Sequence, residues 1–293
     1  MRFTLSMSIA AFLSFPTGSS AAQAAPGSEE LELTSRIFHN TRSLHVLLPP
    51  SYHLAAHATT RYPVCYFLDG QAAFDSGGWD VPGTFTRLWA EHRIPEVIVV
   101  GIDNGGSTRE SKNPGVDRAS EFLPYADQSW TEAPVPTPRG MSHPAFLFTE
   151  VIPAVAHSYR TIGGAHSTCL AGASYGGVAA LYLALQYPDS MGAVLIESPS
   201  LQVGNGRMVQ DAEHQSQWPV CVYVGVGTRE GQEASSQTQM VTNATALAKA
   251  LPADRSHFTV APNAIHDYSA WRDRLPEALE FLLSGAACRS QVR

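Results

Sequence analysis

Ala171-Gly172-Ala173-Ser174-Tyr175-Gly176-Gly177 is the stretch from which the fold is read. Thr168-Cys169-Leu170 precedes it as a short strand-like run, and an Ala- and Leu-rich segment from Val178 to Tyr187 follows and stops at Pro188. Strand, Gly-bounded turn and helix in that order are the context in which a single serine is presented as a nucleophile. A serine on so tight a turn needs neighbours without bulk, because a β-carbon at either flanking glycine would meet the adjacent strand or helix. Its hydroxyl then stands clear of the sheet. The amide of Tyr175, at the helix N-terminus, points to where an oxyanion would develop. Ser174 is the candidate nucleophile and Tyr175 the first candidate oxyanion donor.

Working outward, apolar runs bounded by turn residues alternate with helical periods. Leu31 to Phe38 and Ser43 to Leu48 read as two strands joined at His39-Asn40. Pro63 to Leu68 and Glu96 to Ile102 are unbroken apolar runs of the kind a parallel strand buried on both faces shows. Between them, Val81, Phe85, Leu88 and Trp89 fall on one face of a helix within Asp80 to His92. Residues 107–142 hold no sustained period, and long loops after a strand often shape a site. Leu147, Val151, Val155 and Tyr159 predict a helix kinked or split at Pro153. Ala193 to Ile196, Val220 to Val226 and Phe258 to Ala261 complete the strands. The last two are separated by a helix through Met240, Ala244, Leu247 and Leu251. A closing helix carries Trp271, Leu275, Ala278 and Leu282. The alternation predicts an α/β domain, a mostly parallel central sheet with helices on both faces. The short link between the 193–196 and 220–226 strands leaves room for a small lid at most.

A serine hydroxyl becomes a useful nucleophile when a base takes its proton and an acid orients that base. The base is read as His266, which follows the last strand in an irregular segment. For the acid, Glu230 lies four residues past the Val220 to Val226 run. Glu233 is close enough to compete, whereas Asp273 is too far into the last helix. A second oxyanion donor should come from the loop after the Leu68-Asp69-Gly70 strand end, which makes the amide of Gln71 the candidate.

Composition narrows the class. Residues 1–24 combine Arg2, an apolar run from Leu5 to Phe15 and Ala22-Gln23-Ala24, the pattern of a cleaved export signal. The apolar run is too short to span a bilayer, and no cysteine lies near the cut. A periplasmic or secreted mature chain, residues 25–293 as one domain without a membrane anchor, is therefore expected. Without Arg2 the net charge of −7 becomes −8, and only two of the 19 basic residues are lysines (Lys112 and Lys249). An acidic surface without a basic stripe argues against a nucleic-acid partner. Cys65, Cys169 and Cys221 lie in apolar strand runs and are expected as buried, unbridged thiols. His53 and His57 have metal-like spacing but no third ligand nearby, so no metal site is expected.

On these residues the chain resembles the esterase D family of α/β-hydrolases. The resemblance runs through Val46 to Tyr52, Tyr62 to Gln71 (YPVCYFLDGQ), Pro95 to Asp103, Arg118 to Tyr125 (RASEFLPY), Ala171 to Asp189, Tyr223 to Glu230 and His266 to Trp271. Leu68-Asp69-Gly70, Arg-x-x-Glu-Phe-x-Pro and Ser198-Pro199-Ser200 most resemble its enterochelin esterase branch, while the Pro-rich 126–144 segment departs from the family pattern. The resemblance implies an α/β-hydrolase fold and a serine esterase without cofactor, acting on a small-molecule ester. It also implies Ser174 as nucleophile, Glu230 as acid, His266 as base, and the Tyr175 and Gln71 amides as the oxyanion hole. An acyltransferase of the mycolyltransferase type would use the same residues, and a non-catalytic binding protein would need a damaged triad. Trp79 and the 107–144 loop are expected to wall the substrate pocket. Arg118, with Arg109, is expected to supply positive charge to the substrate.

Overall fold

The computed structural model describes residues 28–284 and Cys288, so the expected export segment over 1–24 lies outside the described residues. Among the described residues eight strands form one sheet: β1 (Ser28–Ser35), β2 (Asn40–Leu47), β3 (Val64–Leu68), β4 (Ile98–Ile102), β5 (Thr168–Ala173), β6 (Ala193–Glu197), β7 (Cys221–Arg229) and β8 (Ser256–Ile265). Their order in space is β1-β2-β4-β3-β5-β6-β7-β8. β2 is antiparallel to both β1 and β4, and every other pair is parallel. The helices are α1 (Gly70–Ala73), α2 (Val81–Ala90), α3 (Pro114–Phe122), α4 (His143–Phe146), α5 (Ile152–Ser158), α6 (Tyr175–Gln186), α7 (Arg207–Glu213), α8 (Ala234–Ala250) and α9 (Tyr268–Ser284).

The residue pattern explains the layers. β3, β4 and β6 are buried at every position, the continuous apolar strands that a sheet covered on both faces requires. Alternate residues feed two cores. Val64, Tyr66 and Leu68 of β3 pack into one with α6, whereas Cys65 and Phe67 pack into the other with α2 and α9. β2 alternates buried and partly open positions instead, and the edge strand β1 is open or half-buried up to Ser35. The mostly parallel sheet with helices on both faces is as the alternation predicted. α7 and the turn at Val203–Gly206 are the whole insertion between β6 and β7, a small lid at most.

Two expectations need correction and a third holds. The stretch read as irregular contains α3, which begins with Pro114 in its first turn and buries Ala119, Glu121 and Phe122. Nine residues give too few turns for a period to stand out. The helix expected around Pro153 is split as predicted: a π-type turn at Leu147–Val151 joins α4 to α5, where Pro153 falls in the first turn and needs no intrahelical acceptor. Cys221 is not a free thiol. It is bonded to Cys288, with the two Cα atoms 5.5 Å apart. The cause is packing: Cys288, beyond the end of α9, lies beside the start of β7, and a half-cystine is as apolar as a thiol in sequence. Cys65 and Cys169 are free and buried, opposite one another across β3 and β5.

The chain leaves β3 for β4 on one side and resumes at β5 on the other. The carboxyl ends of β3 and β5 therefore flank the switch point at which open α/β sheets bind ligands.

Candidate active site

Ser174 stands between β5 and α6 at φ 57°, ψ −121°, a conformation that costs a non-glycine residue on the order of 1–3 kcal/mol. The surroundings hold it there. Its amide donates to the Glu197 carbonyl at 3.0 Å, and its own carbonyl accepts from the Val178 amide at 3.1 Å. Gly172 is needed because a β-carbon there would overlap the Gly176 carbonyl.

His266, just past β8, places Nε2 3.0 Å from Ser174 Oγ and Nδ1 3.1 Å from Glu230 Oε2. Glu230 has no exposed side-chain surface, while His266 keeps 23% of its side chain open, so the imidazole is the member a reacting molecule can reach. The other Glu230 oxygen accepts from Ser198 Oγ at 2.6 Å, from the Gly227 amide, and from Arg274 Nη2 at 3.3 Å. Glu233 is elsewhere: its side chain caps α8 in a reciprocal pair with Ser236. Of the two competing glutamates, Glu230 is the one brought to His266. A hydroxyl, an imidazole and a buried carboxylate in this line form the arrangement used for base-activated acyl transfer.

Gln71 and Tyr175 lie in the first turns of α1 and α6, where backbone N–H groups have no acceptor within their own helix. α1 is anchored by Asp69, its N-cap, which is itself left-handed at φ 58°. The Asp69 carboxylate accepts from Arg118 Nε and Nη2, both at 2.7 Å, and from Asn104 Nδ2 at 2.6 Å.

Two expected contacts fail. Trp79 is only 2% exposed and packs edge-on against Phe67 and Trp271; it is core and cannot line a pocket. Its apolar surface is satisfied by burial in the core instead. Arg118 is not a free cation for substrate, because Asp69 takes its guanidinium in two-point fashion and the charge pair raises its pKa. It also stacks over Phe122 and Tyr175. Arg109 pairs with Glu32 at the surface instead. The 107–144 segment does reach the site: Asp127 accepts from the Tyr175 hydroxyl at 2.6 Å.

Sequence reasoning missed a second layer. Glu197, at the end of β6, and Arg274, on α9, are 1% and 5% exposed and bonded through Arg274 Nε at 3.0 Å and Nη2 at 2.7 Å. Trp271 Nε1 donates to Ser198 Oγ at 2.9 Å, and its ring meets the His266 ring at right angles. The signals were present. Glu197 ends an otherwise apolar strand, and Arg274 lies on the same face of the last helix as Trp271, Leu275 and Ala278. An ionised residue in either place implies a buried partner.

A family model described as putative esterase matches residues 35–282. Protein YbbA of Bacillus subtilis, described as uncharacterized, is 22% identical over 248 residues, 82% of this chain and 92% of that protein. The iron(III) enterobactin esterase of Dickeya dadantii is 28% identical over 153 residues, but the match takes in only 46% of this chain and 34% of that enzyme. Among solved structures, an IroE-like serine hydrolase from Shewanella oneidensis superposes with a TM-score of 0.70 at 20% identity, covering 88% of this chain and 80% of that one. The enterobactin esterase of Shigella flexneri superposes with a TM-score of 0.67 at 21% identity, covering 88% and 59%. At such identities these superpositions speak to the fold.

Proposed function

The chain belongs to the putative esterase family, and we propose that it is an exported carboxylic-ester hydrolase working through an acyl-enzyme on Ser174. The observation that carries this reading is the unbroken line Ser174 Oγ, His266, Glu230, with contacts of 3.0 and 3.1 Å, on a serine held at positive φ. His266 Nε2 takes the Ser174 proton as Oγ attacks the ester carbonyl carbon. The carbonyl electron pair moves to oxygen, where the Tyr175 and Gln71 amides meet it. When that pair returns, the C–O bond to the alcohol breaks and His266 gives the alcohol the proton. Water repeats the sequence on acyl-Ser174 with His266 as base, releasing the acid and the serine. Glu230 holds the imidazole through Nδ1–H and stabilises its transient charge. Each oxyanion donor is worth about 10²–10³ in turnover.

Export is supported by the 1–24 segment and by the Cys221–Cys288 bridge, since disulfides persist in oxidising compartments. For substrate, we infer esters with aromatic or short acyl groups, siderophore lactones among them; the enterobactin esterases among the similar proteins support that direction. The test is labelling with an organophosphonate together with a panel of p-nitrophenyl esters of increasing length, a feruloyl ester and a trilactone siderophore. One label on the Ser174 peptide, lost with activity in Ser174→Ala, is expected. Label surviving that change would move the nucleophile elsewhere. Transfer to an added alcohol outrunning hydrolysis would make the enzyme an acyltransferase.

A further inference from the structure

We propose that Glu197 and Arg274 set how much negative charge Glu230 presents to His266, Arg274 acting as a positioning residue and Glu197 as the anchor that holds it partly away. The inference rests on the reading of Ser174, His266 and Glu230 as a triad.

The geometry is unequal. Arg274 Nη2 lies 2.7 Å from Glu197 Oε1 but 3.3 Å from Glu230 Oε1, and Nε adds a second bond to Glu197 at 3.0 Å. Ser198 Oγ lies within reach of all three: it lies 2.6 Å from Glu230 Oε1 and 3.3 Å from Glu197 Oε1 as donor, and accepts from Arg274 Nη2 at 3.1 Å, with Trp271 Nε1 donating to it as well. One guanidinium therefore serves two buried carboxylates, and the larger share goes to the one that does not touch His266. Burial and the neighbouring Glu230 charge push the Glu197 carboxyl up while Arg274 opposes them, which fits a site holding one more negative charge than positive. Room is left for both carboxylates. A β-carbon on Gly225 would stand 2.6 Å from the Glu197 oxygens, and one on Gly227 would stand 2.8 Å from Glu230 Oε1.

The surplus charge has a use. When His266 takes the serine proton, the group of Glu197, Arg274, Glu230 and His266 becomes neutral overall. Charge in a dry site interacts far more strongly than in water. If the guanidinium moved wholly onto Glu230, the carboxylate would stabilise the imidazolium less. If it were absent, two buried carboxylates would face one another with no cation between them, and His266 would feel more negative charge. Among the described residues, charged or titratable neighbours of this cluster include Asp267, whose carboxylate is occupied by Ser269 and feels Arg272, and Tyr223 on β7, whose hydroxyl faces Glu277. Among the described residues Arg274 Nη1 has no partner, so nothing else competes for that arm of the cation.

The experiment is the pH profile of kcat for p-nitrophenyl acetate in wild type, E197Q, R274Q and the double variant. E197Q should lower the acid limb by about one pH unit, because the guanidinium then turns to Glu230, with kcat reduced roughly tenfold and KM little changed. R274Q should raise the limb by a similar amount. The double variant should return to within a few tenths of a unit of wild type. A merely structural role would lower thermal stability without moving the limbs in opposite directions. An unmoved limb in E197Q, or shifts of the same sign in both single variants, overturns the proposal. Should R274Q not accumulate, E197Q and the double variant decide the matter, since the double variant removes the Glu197 charge together with the cation that paired it and leaves Glu230 held by Ser198, the Gly227 amide and His266. A wild type that neither labels at Ser174 nor hydrolyses the ester would refute the triad itself. An active wild type with an unmoved E197Q limb would refute this inference alone.

Discussion

Two arginines flank Ser174, and they meet their carboxylates in different proportions. On the side of the proposed oxyanion hole Arg118 is matched one to one with Asp69, and each keeps some surface open, 14% and 10% of the side chain. On the base side Arg274 is shared by Glu197 and Glu230, with side chains 5%, 1% and 0% exposed. The first pair balances its own charge and fixes a backbone: Asp69 is the left-handed N-cap of α1, so its clamp sets where the Gln71 amide points. The second leaves negative charge facing the imidazole. The same residue types serve shape on one side and electrostatics on the other.

The comparison is tested first where the effect should be largest. Glu230→Gln removes the carboxylate that receives His266 Nδ1–H, and turnover should fall by about 10⁴, the size of loss seen when a triad acid becomes an amide. Glu233→Gln should cost no more than the helix cap, about 1 kcal/mol of stability, with turnover kept. The reverse ranking would put the acid at Glu233.

Next comes Arg118→Met, which leaves the Asp69 charge buried without its partner. A loss of about 3–5 kcal/mol in folding stability is expected, and about 10²-fold in kcat as the α1 amide drifts. If Arg118 serves shape, the acid limb of kcat stays where it is in wild type. A shifted limb would erase the distinction between the two sides.

How much of this could be read from the chain divides along the same line. The elbow, His266 and the strands were legible because each depends on local pattern: glycines at a turn, apolar runs between breakers, a histidine past the last strand. Trp79 and Arg118 were misplaced because a large aromatic or a cation is equally at home in a pocket or a buried clasp. Choosing between those needs to know that Asp69 lies opposite Arg118, 49 residues away in the chain. Arg274 serving Glu197 across 77 residues is the same problem. Pairings at that separation follow from topology, and no local period records them. The Cys221–Cys288 bridge belongs there too.

That bridge distinguishes the sides again, since it ties Cys288, beyond α9, the helix that carries Arg274, to β7, whereas α3, which carries Arg118, has no such tie among the described residues. Reduction opens a loop of 67 residues, worth about 4 kcal/mol in the chain-entropy account. Denaturant unfolding with and without reductant should show that loss, while kcat measured well below the midpoint should be unchanged. Equal stability in the two conditions would mean that packing alone holds α9.

The smallest effect belongs to the oxyanion side and depends on pH. His143 is fully buried behind α3, ringed by Phe38, Phe122 and Phe146, and neither ring nitrogen has a partner among the described residues. Burial, with the Arg42 charge added, pulls its pKa down to about 3. Glu121 is 3.9 Å away, but its carboxylate is engaged by Arg42 at 2.7 and 3.0 Å. The folded chain therefore keeps His143 neutral where the unfolded chain takes up a proton. Stability from this residue is complete above the ordinary histidine pKa near 6.5 and falls as pH drops from there toward 3, by about 2 kcal/mol between pH 8 and pH 5. Glu121, which burial pushes up, takes its proton in the opposite sense and softens the total. Comparing wild type with His143→Phe removes that term, because phenylalanine fits the aromatic ring of neighbours and gives up no hydrogen bond. The variant should match or exceed wild type at pH 8 and hold an additional advantage of about 2 kcal/mol at pH 5. Parallel stability curves for the two proteins across that range would show that His143 is protonated in the fold, and that the acid sensitivity assigned to the α3 side belongs elsewhere.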